Sequence, residues 1–150
     1  MTTFNVEQFV NKAIDSILNQ THNNLELIIV DDCSTDSTVD LIQKYNAPRI
    51  KLFRNTINAG TYFCKNYGIQ QSAGEFIAIQ DSDDYSSPIR IERQLAAFAE
   101  APYVKINKCQ YVRVTKKGKI LSEPKAAYQA SLIRREVYDE IGFYDTVRVA

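Results

Sequence analysis

The sequence predicts an α/β fold, in which a mostly parallel sheet carries helices on its faces. Three short apolar runs have the length of buried strands, and they lie at residues 27–30, 50–53 and 76–80. Segments with helical periodicity alternate with these runs, and such alternation is typical of parallel sheets. The chain has 150 residues, of which 45% are hydrophobic, so it can form one domain with a core of its own.

Four helices are predicted in the first hundred residues. The first has apolar residues spaced three and four positions apart from Val6 to Leu18, with Asn5 as its candidate N-cap. The last opens with Ser87-Pro88, a capping residue followed by proline at the first helical position. The predicted helices lie at residues 6–18, 37–45, 61–71 and 87–98.

The pattern changes near Pro102, so we expect a single domain with two parts, residues 1–101 and 102–150. The second part is predicted to contain a strand at 103–114, a hairpin turn at Lys117-Gly118 into Ile120-Leu121, and a helix from Arg134 to Ile141 that ends at Gly142. We interpret its two basic groups as structural. They are the hairpin tip with Lys116, Lys117 and Lys119, expected to be solvated, and Arg134-Arg135, expected on a helix surface rather than facing an anionic acceptor.

Both ends of the chain are expected to be truncated. Residues 1–5 look like a loop directly before a helix, although a protein of this type would start with a strand. Residues 147–150 carry no stop signal. An incomplete sheet leaves an unpaired edge, which predicts poor solubility or dimerisation of the isolated chain.

The Asp81-Ser82-Asp83-Asp84 cluster directly follows the third apolar run. Clustered carboxylates repel one another, and a divalent cation with oxygen ligands reverses that cost. A metal at a strand end commonly serves a phosphate, so a phosphorylated substrate is expected. The structural alternative is a polar turn before the helix that Ser87 caps.

A second polar cluster, Asp31 to Asp36, follows the first apolar run. In open α/β sheets ligands bind at the carboxyl ends of strands. We therefore favour a functional role for Asp31 and Asp32, with Asp32 accepting hydrogen bonds from a base or ribose. For residues 36–38 we favour helix capping.

A third group surrounds the start of the helix predicted at 61–71. Gly60 is expected to permit a close backbone approach, and Cys64 is expected in the core. Lys65 has two interpretations of equal weight, a contact to phosphate or a solvated helix lysine.

Charge and cysteine content bound the function and its location. Basic and acidic residues number 18 each, so no global attraction to nucleic acid or to an anionic membrane is expected. The three cysteines, Cys33, Cys64 and Cys109, lack metal-binding spacing. A reduced cytosolic compartment is the simplest interpretation.

Taken in order, these motifs resemble the GT-A glycosyltransferases of family 2, and the likeness spans almost the whole chain. The segments that carry it are Thr2–Asn5, Ala13–Thr21, Leu27–Asp36, Asn58–Gly60, Asn66–Ile69, Asp81–Asp84, Arg134–Val137 and Ile141–Phe143. The resemblance implies a Rossmann-like GT-A nucleotide-diphospho-sugar transferase fold, with residues 1–101 as the donor-binding half and 102–150 as the start of the acceptor half.

The resemblance also implies residue roles. Thr2, Phe4 and Asp32 match the pocket for the donor's base. Asp81, Ser82 and Asp83 match the DxD motif, with Asp83 as the direct ligand of Mn²⁺ or Mg²⁺ and Asp81 as a second ligand or a contact to ribose or sugar. Lys65 stands where the family often has an arginine near the diphosphate, so it keeps the charge without the bidentate fork.

Two departures from the family are visible. The family's first strand is expected before Thr2, and the general base is expected beyond residue 150. Asp145 is not favoured as that base. The implied reaction is an inverting, metal-assisted sugar transfer to an acceptor hydroxyl in polysaccharide or glycoconjugate synthesis.

The expected partners are a nucleoside-diphosphate sugar and a carbohydrate or glycolipid acceptor, without nucleic acid. Peripheral membrane association at the cytoplasmic face and a homodimer are left open. A non-catalytic nucleotide-sugar-binding fragment is the alternative function. A dinucleotide-binding enzyme is disfavoured, because no GxGxxG follows any predicted strand.

Overall fold

A computed structural model describes residues 1–115 and 117–145, so Lys116 of the predicted tip and residues 147–150 lie outside the described part. Strands and helices alternate along most of it. In chain order the elements are β1 (Thr2–Thr3), α1 (Val10–Leu18), β2 (Leu27–Asp31), α2 (Thr38–Gln43), β3 (Ile50–Arg54), α3 (Thr61–Gln71), β4 (Phe76–Ala78), α4 (Arg90–Glu100), β5 (Ile106–Tyr111), β6 (Lys125–Arg134) and α5 (Glu136–Ile141).

The first sheet is parallel and has the order β1-β2-β3. Leu27 pairs with Ile50, and Thr2 pairs with Val30. Every residue of β2 is buried, as expected for a central parallel strand. The expectation that residues 1–5 are a loop and that the first strand precedes Thr2 is wrong for Thr2–Thr3. A strand of two residues depends on its partner and has no local periodicity to reveal it.

The second sheet is antiparallel and has the order β4-β6-β5. β4 was expected to continue the parallel sheet, but it pairs antiparallel with β6, with Ile77 opposite Ile133. β6 is a ten-residue strand that the sequence analysis missed, and its buried Leu132 and Ile133 are the signal that could have revealed it. The predicted hairpin is confirmed, because Val114 bridges to Ile120 across a turn in which Gly118 has a φ of +81°.

Helix α1 packs its apolar face on β2. Val10, Ile14 and Ile17 are buried with Leu27, Ile29 and Ile42 in one cluster, which matches the predicted periodicity. The helix begins at Val10 rather than Val6, and Asn5 is not its cap. Instead, Asn5 has a φ of +50°, and its Oδ1 accepts a hydrogen bond of 2.9 Å from the Thr35 amide. Helix α4 likewise begins at Arg90, two residues after Pro88.

An apolar cleft of about 710 Å³ lies between the two sheets, walled by residues of β2, α3, β4 and α4. Lys65 and Gln80 line it, whereas Asp32, Asp81 and Asp83 do not. None of the helices in the described part of the chain is long and apolar enough to cross a membrane.

Candidate functional site

The candidate site lies where β1 and β2 end and where the chain leaves β4. The main-chain amide of Asp32 donates to the Thr3 carbonyl at 2.8 Å, so the end of β1 and the polar cluster after β2 are adjacent. Phe4, which follows β1, is 47% exposed. Thr2 is half-buried within β1 and lines the cleft. The aromatic face of Phe4 is therefore available beside Asp32.

Asp31 has a structural role, which corrects the expected functional one. Its side chain is fully buried, and its Oδ1 accepts hydrogen bonds from the Thr3 hydroxyl at 3.0 Å and the Ser34 hydroxyl at 2.5 Å. Its Oδ2 accepts from the Ser34 amide at 2.9 Å and lies 3.7 Å from Arg54 Nε. All of these contacts hold the loop after β2 in place.

Asp32 binds the loop that precedes α3. Its Oδ1 accepts from the Ala59 amide at 2.8 Å and from Asn55 Nδ2 at 2.9 Å, and its Oδ2 accepts from the Gly60 amide at 2.8 Å. Burial acts to raise the pKa of Asp32, but these hydrogen bonds outweigh it and leave the pKa lowered. The sequence analysis missed this anchoring role, and the Asn58-Ala59-Gly60 motif was its only signal.

The capping prediction for residues 36–38 is confirmed for Asp36 alone, because Ser37, at the N-cap position of α2, makes no side-chain capping hydrogen bond. Asp36 Oδ1 accepts a hydrogen bond of 3.0 Å from the amide of Thr38, the first residue of α2. The Thr38 hydroxyl in turn accepts one of 2.9 Å from the Val6 amide. These two side chains therefore fix the start of α2 and tie it to the segment before α1.

Gly60 is required by its backbone conformation, with φ 94° and ψ 158°. This region is almost exclusive to glycine, so the backbone at this helix start requires a glycine, and the expected close approach stays a prediction. We expect Gly60→Ala to lower the free energy of unfolding by about 1–3 kcal/mol. Urea denaturation followed by circular dichroism would measure this loss, with Thr61→Ala at the neighbouring exposed position as control. Equal stability of the two variants would contradict the assignment.

The first turn of α3 connects the two acidic clusters. Cys64 is fully buried, and burial, with Asp32 as the next cause, raises the pKa of its thiol to about 12. This confirms a core role. The next residue, Lys65, is only 13% exposed at its side chain, and its Nζ lies 3.5 Å from Asp81 Oδ1. Lys65 is therefore not a freely solvated lysine.

The loop that carries the DxD residues is held from inside by Gln80. This buried side chain donates through Nε2 to the carbonyls of Asp81 and Asp84, both at 3.0 Å. Its Oε1 accepts from the Ser86 hydroxyl at 2.6 Å and from Arg90 at 3.0 Å. Ser82 is buried within this loop, whereas Asp83 is exposed.

Arg90 supports the same loop and was missed by the sequence analysis. It is 8% exposed and donates to Gln80, to the Ser86 hydroxyl and to the carbonyl oxygens of Ile79 and Ser131. A fifth bond goes from Nε to Gln94 Oε1. Its signal in the sequence was helical spacing, which places Arg90 on the same face of the predicted helix as Ile91, Gln94 and Phe98.

The donor set after β4 fits a hard divalent cation. Partial desolvation raises the pKa of Asp84, and the charges of Asp83 and Asp81 raise it further. A cation would relieve this repulsion. In the described part of the chain, no three acidic, histidine or cysteine side chains form a ready-made metal cluster. A cation bound there would need ligands beyond these side chains.

Several other motif residues hold the fold. Asn66 on α3 clamps the main chain of Tyr144, accepting from its amide at 3.0 Å and donating to its carbonyl at 2.9 Å. Arg135 donates to the carbonyls of Gly74 and Ser72 beyond the end of α3. Arg134 stacks near Phe76 and Phe98. Both arginines make structural contacts, but their expected position on a helix surface is wrong, because Arg134 ends β6 and Arg135 precedes α5, which begins at Glu136 rather than at Arg134. They lie at the opposite end of β4 from the acidic cluster.

The chain is similar to proteins of a known family. The family model described as Glycosyl transferase family 2 matches residues 1–148. An Escherichia coli UDP-Glc:α-D-GlcNAc-diphosphoundecaprenol β-1,3-glucosyltransferase, WfaP, is 35% identical over 95 residues, which are 63% of this chain and 38% of the relative. The chain thus spans less than half the length of the curated relatives that it matches.

Two solved structures show the same fold over 97% of this chain. The crystal structure of S. aureus TarS 1–349 in complex with UDP aligns with a TM-score of 0.78 at 20% identity, and 48% of that chain is covered. The mannosyltransferase PcManGT from Pyrobaculum calidifontis, in complex with GDP-Man and Mn²⁺, aligns with a TM-score of 0.78 at 19% identity, and 46% of it is covered. The fold is therefore that of GT-A glycosyltransferases, and with the family match over nearly all of its length the chain belongs to glycosyl transferase family 2.

Proposed function

We propose that this chain forms the donor-binding part of an inverting, metal-assisted glycosyltransferase that uses a nucleoside-diphosphate sugar. The observation that carries the proposal is the junction at α3. The amide of Gly60, directly before α3, donates to Asp32 after β2, and Lys65 near the start of α3 lies beside Asp81 after β4. One helix start therefore links the two acidic clusters. This junction suits a ligand that carries a base at one end and a diphosphate at the other.

In this proposal, different residues bind different parts of the donor. Phe4 offers an exposed ring for the base, and Thr2 and Asp32 complete that end of the pocket. Ser82 shapes the loop that carries the carboxylates. Lys65, whose Nζ lies 3.5 Å from Asp81 Oδ1, supplies positive charge near the diphosphate. In this division residues 1–101 form the donor half and residues 102–150 begin the acceptor half.

The metal would be held by Asp83, with Asp81 as the second carboxylate. When bound, Mn²⁺ or Mg²⁺ would neutralise the charge that develops on the departing nucleoside diphosphate. Asp83 is exposed and therefore open to a ligand, whereas Asp81 forms an ion pair with Lys65. The metal-bound neighbour from Pyrobaculum calidifontis supports this choice of cation.

The acceptor is proposed to be a carbohydrate or glycolipid in polysaccharide synthesis. The name of the Escherichia coli relative, whose acceptor is a sugar diphosphoundecaprenol, supports a lipid-linked acceptor. The three free thiols support a cytoplasmic location, at the cytoplasmic face of a membrane. A homodimer and the absence of a nucleic-acid partner complete the proposal.

The test is calorimetric titration of the chain with UDP, GDP and dTDP, with and without Mn²⁺. We expect one nucleotide to bind with an affinity that Mn²⁺ increases. In Asp83→Ala the metal-dependent affinity should fall at least about tenfold, because an interaction with a charged group is lost. Asp40→Ala, at an exposed acidic position on α2, should bind like the unmodified chain.

The outcomes separate the alternatives. Equal binding by Asp83→Ala and Asp40→Ala would remove Asp83 from the site. Metal-dependent binding without sugar transfer to any acceptor would favour the non-catalytic nucleotide-sugar-binding fragment instead. Absence of binding by a folded chain would contradict the proposed donor site.

A further inference from the structure

A hairpin extends from the second sheet without a core of its own. We call residues 111–125 the basic arm. Its two sides are joined by the bridge between Val114 and Ile120 and by a hydrogen bond of 2.7 Å from the Leu121 amide to the Arg113 carbonyl. None of the residues described within the arm is buried. The side chains of these described residues are therefore available for a partner rather than used for packing.

The basic arm concentrates positive charge. It contains five basic residues, Arg113, Lys116, Lys117, Lys119 and Lys125, and one acidic residue, Glu123, in a chain whose net charge is zero. Lys117, Lys119 and Lys125 make no ion pair with any acidic group in the described part of the chain. The arm therefore carries a local positive field that the balanced overall composition conceals.

Large aliphatic side chains stand beside these charges. Ile120 is 63% exposed and Leu121 is 62% exposed. A merely solvated lysine tip does not require two exposed aliphatic residues next to it. Binding of nucleic acid by such an arm would favour aromatic rings that stack on bases, and Tyr111 is the only aromatic residue in the arm. Lysines combined with exposed aliphatic residues match the interface of an anionic bilayer.

The basic arm and the acidic cluster lie at the same end of the strands of the second sheet. β6 runs antiparallel to β4, with Phe76 opposite Arg134 and Ala78 opposite Leu132. Moving along β4 toward Asp81 is therefore moving along β6 toward Lys125 and the tip. A surface that binds the arm would therefore face the end of the sheet where the acidic cluster lies.

We propose that the basic arm docks this chain on an anionic phospholipid bilayer, with Lys117 and Lys119 at the headgroups and Ile120 and Leu121 inserted at the interface. Docking in this way would place the carboxyl edge of β4 toward the bilayer. The significance of that placement for a lipid-linked acceptor rests on the proposed function. The binding to lipid itself does not.

Tryptophan fluorescence tests the insertion, because the chain contains no tryptophan. Leu121→Trp places a single reporter in the arm. Tyr103→Trp places one at a position 86% exposed, before β5 and therefore at the other edge of the sheet. With vesicles containing phosphatidylglycerol, the emission of Leu121→Trp should shift to shorter wavelength and that of Tyr103→Trp should not. No shift, or equal shifts for both variants, would overturn the proposal.

Vesicle sedimentation tests the charge contribution. Lys117→Gln/Lys119→Gln should weaken partitioning to phosphatidylglycerol vesicles roughly 30-fold. Lys44→Gln/Arg93→Gln removes the same charge from exposed positions elsewhere and should change it much less. Three outcomes would overturn the proposal. The two double variants could lose the same affinity for vesicles, or the unmodified chain could bind phosphatidylcholine vesicles as strongly as phosphatidylglycerol vesicles. It could also bind duplex DNA more tightly than vesicles. Nucleotide titration of the same variants should be unchanged, which separates this proposal from the donor site.

Discussion

Arg90→Met is expected to lower the free energy of unfolding by about 3–5 kcal/mol, a large part of the stability of a domain this size. The five acceptors of the Arg90 guanidinium lie inside the protein, and methionine fills the space without donating to any of them. A buried acceptor that loses its donor costs about 1–3 kcal/mol, and relaxation recovers part of the sum. Urea denaturation followed by circular dichroism measures the loss.

Two further variants give this prediction its specificity. Arg93→Met, three residues along α4 at an exposed position, should change stability by less than about 0.5 kcal/mol. Arg90→Lys keeps the charge but loses the planar fork, so an intermediate loss is expected. If Arg90→Met and Arg93→Met unfold at the same urea concentration, the network around Arg90 contributes nothing to stability.

The same network links stability to the candidate site. Arg90 and Ser86 fix Gln80, and Gln80 holds the carbonyls of Asp81 and Asp84. Arg90→Lys should therefore weaken metal-dependent nucleotide binding at temperatures where the variant remains folded. Such an effect identifies Arg90 as a positioning residue for the acidic loop, because it lies beneath that loop rather than in it.

Local patterns were sufficient for the features that depend on local physics. The buried run of β2, the apolar stripe of α1 and the hairpin turn at Gly118 follow from side-chain spacing and from glycine. The order of acidic clusters after strands then located the candidate site. The sequence motifs indicate Asp32, Lys65 and Asp81, and the structure brings these three residues to the start of α3.

The errors share one cause, which is dependence on a distant partner. β1 has only two residues and is a strand because β2 is beside it. β4 is antiparallel because β6 is its neighbour, and β6 was missed. Asp31 and Arg90 are charged residues that are buried against partners which include distant ones, Thr3 for Asp31 and Ser131 for Arg90. A sequence pattern that treats every charge as exposed or functional therefore misjudges them. Burial of a satisfied charge is visible only in three dimensions.

Asp32→Asn is expected to lower the free energy of unfolding by about 2–3 kcal/mol near neutral pH, because one carboxylate oxygen that accepts an amide becomes an NH₂ group. The pKa of Asp32 is lowered in the folded state, so folding favours its ionised form. Its contribution is therefore fully present above the unfolded pKa of about 4, and it is lost as pH falls through the folded value. The variant should lack this part of the acid sensitivity.

Urea denaturation from pH 7 to pH 3 would measure this effect. The difference in free energy of unfolding between Asp32→Asn and the unmodified chain should shrink as the pH falls. Asp40→Asn, an exposed carboxylate on α2, supplies the control and should follow the unmodified chain across the range. A constant difference between Asp32→Asn and the unmodified chain would mean that the Asp32 charge plays no part in holding the loop of Ala59 and Gly60.

Because that loop begins α3, which carries Lys65, loss of the charge should also weaken nucleotide binding. Normal binding by a destabilised variant would leave Asp32 with an anchoring role alone.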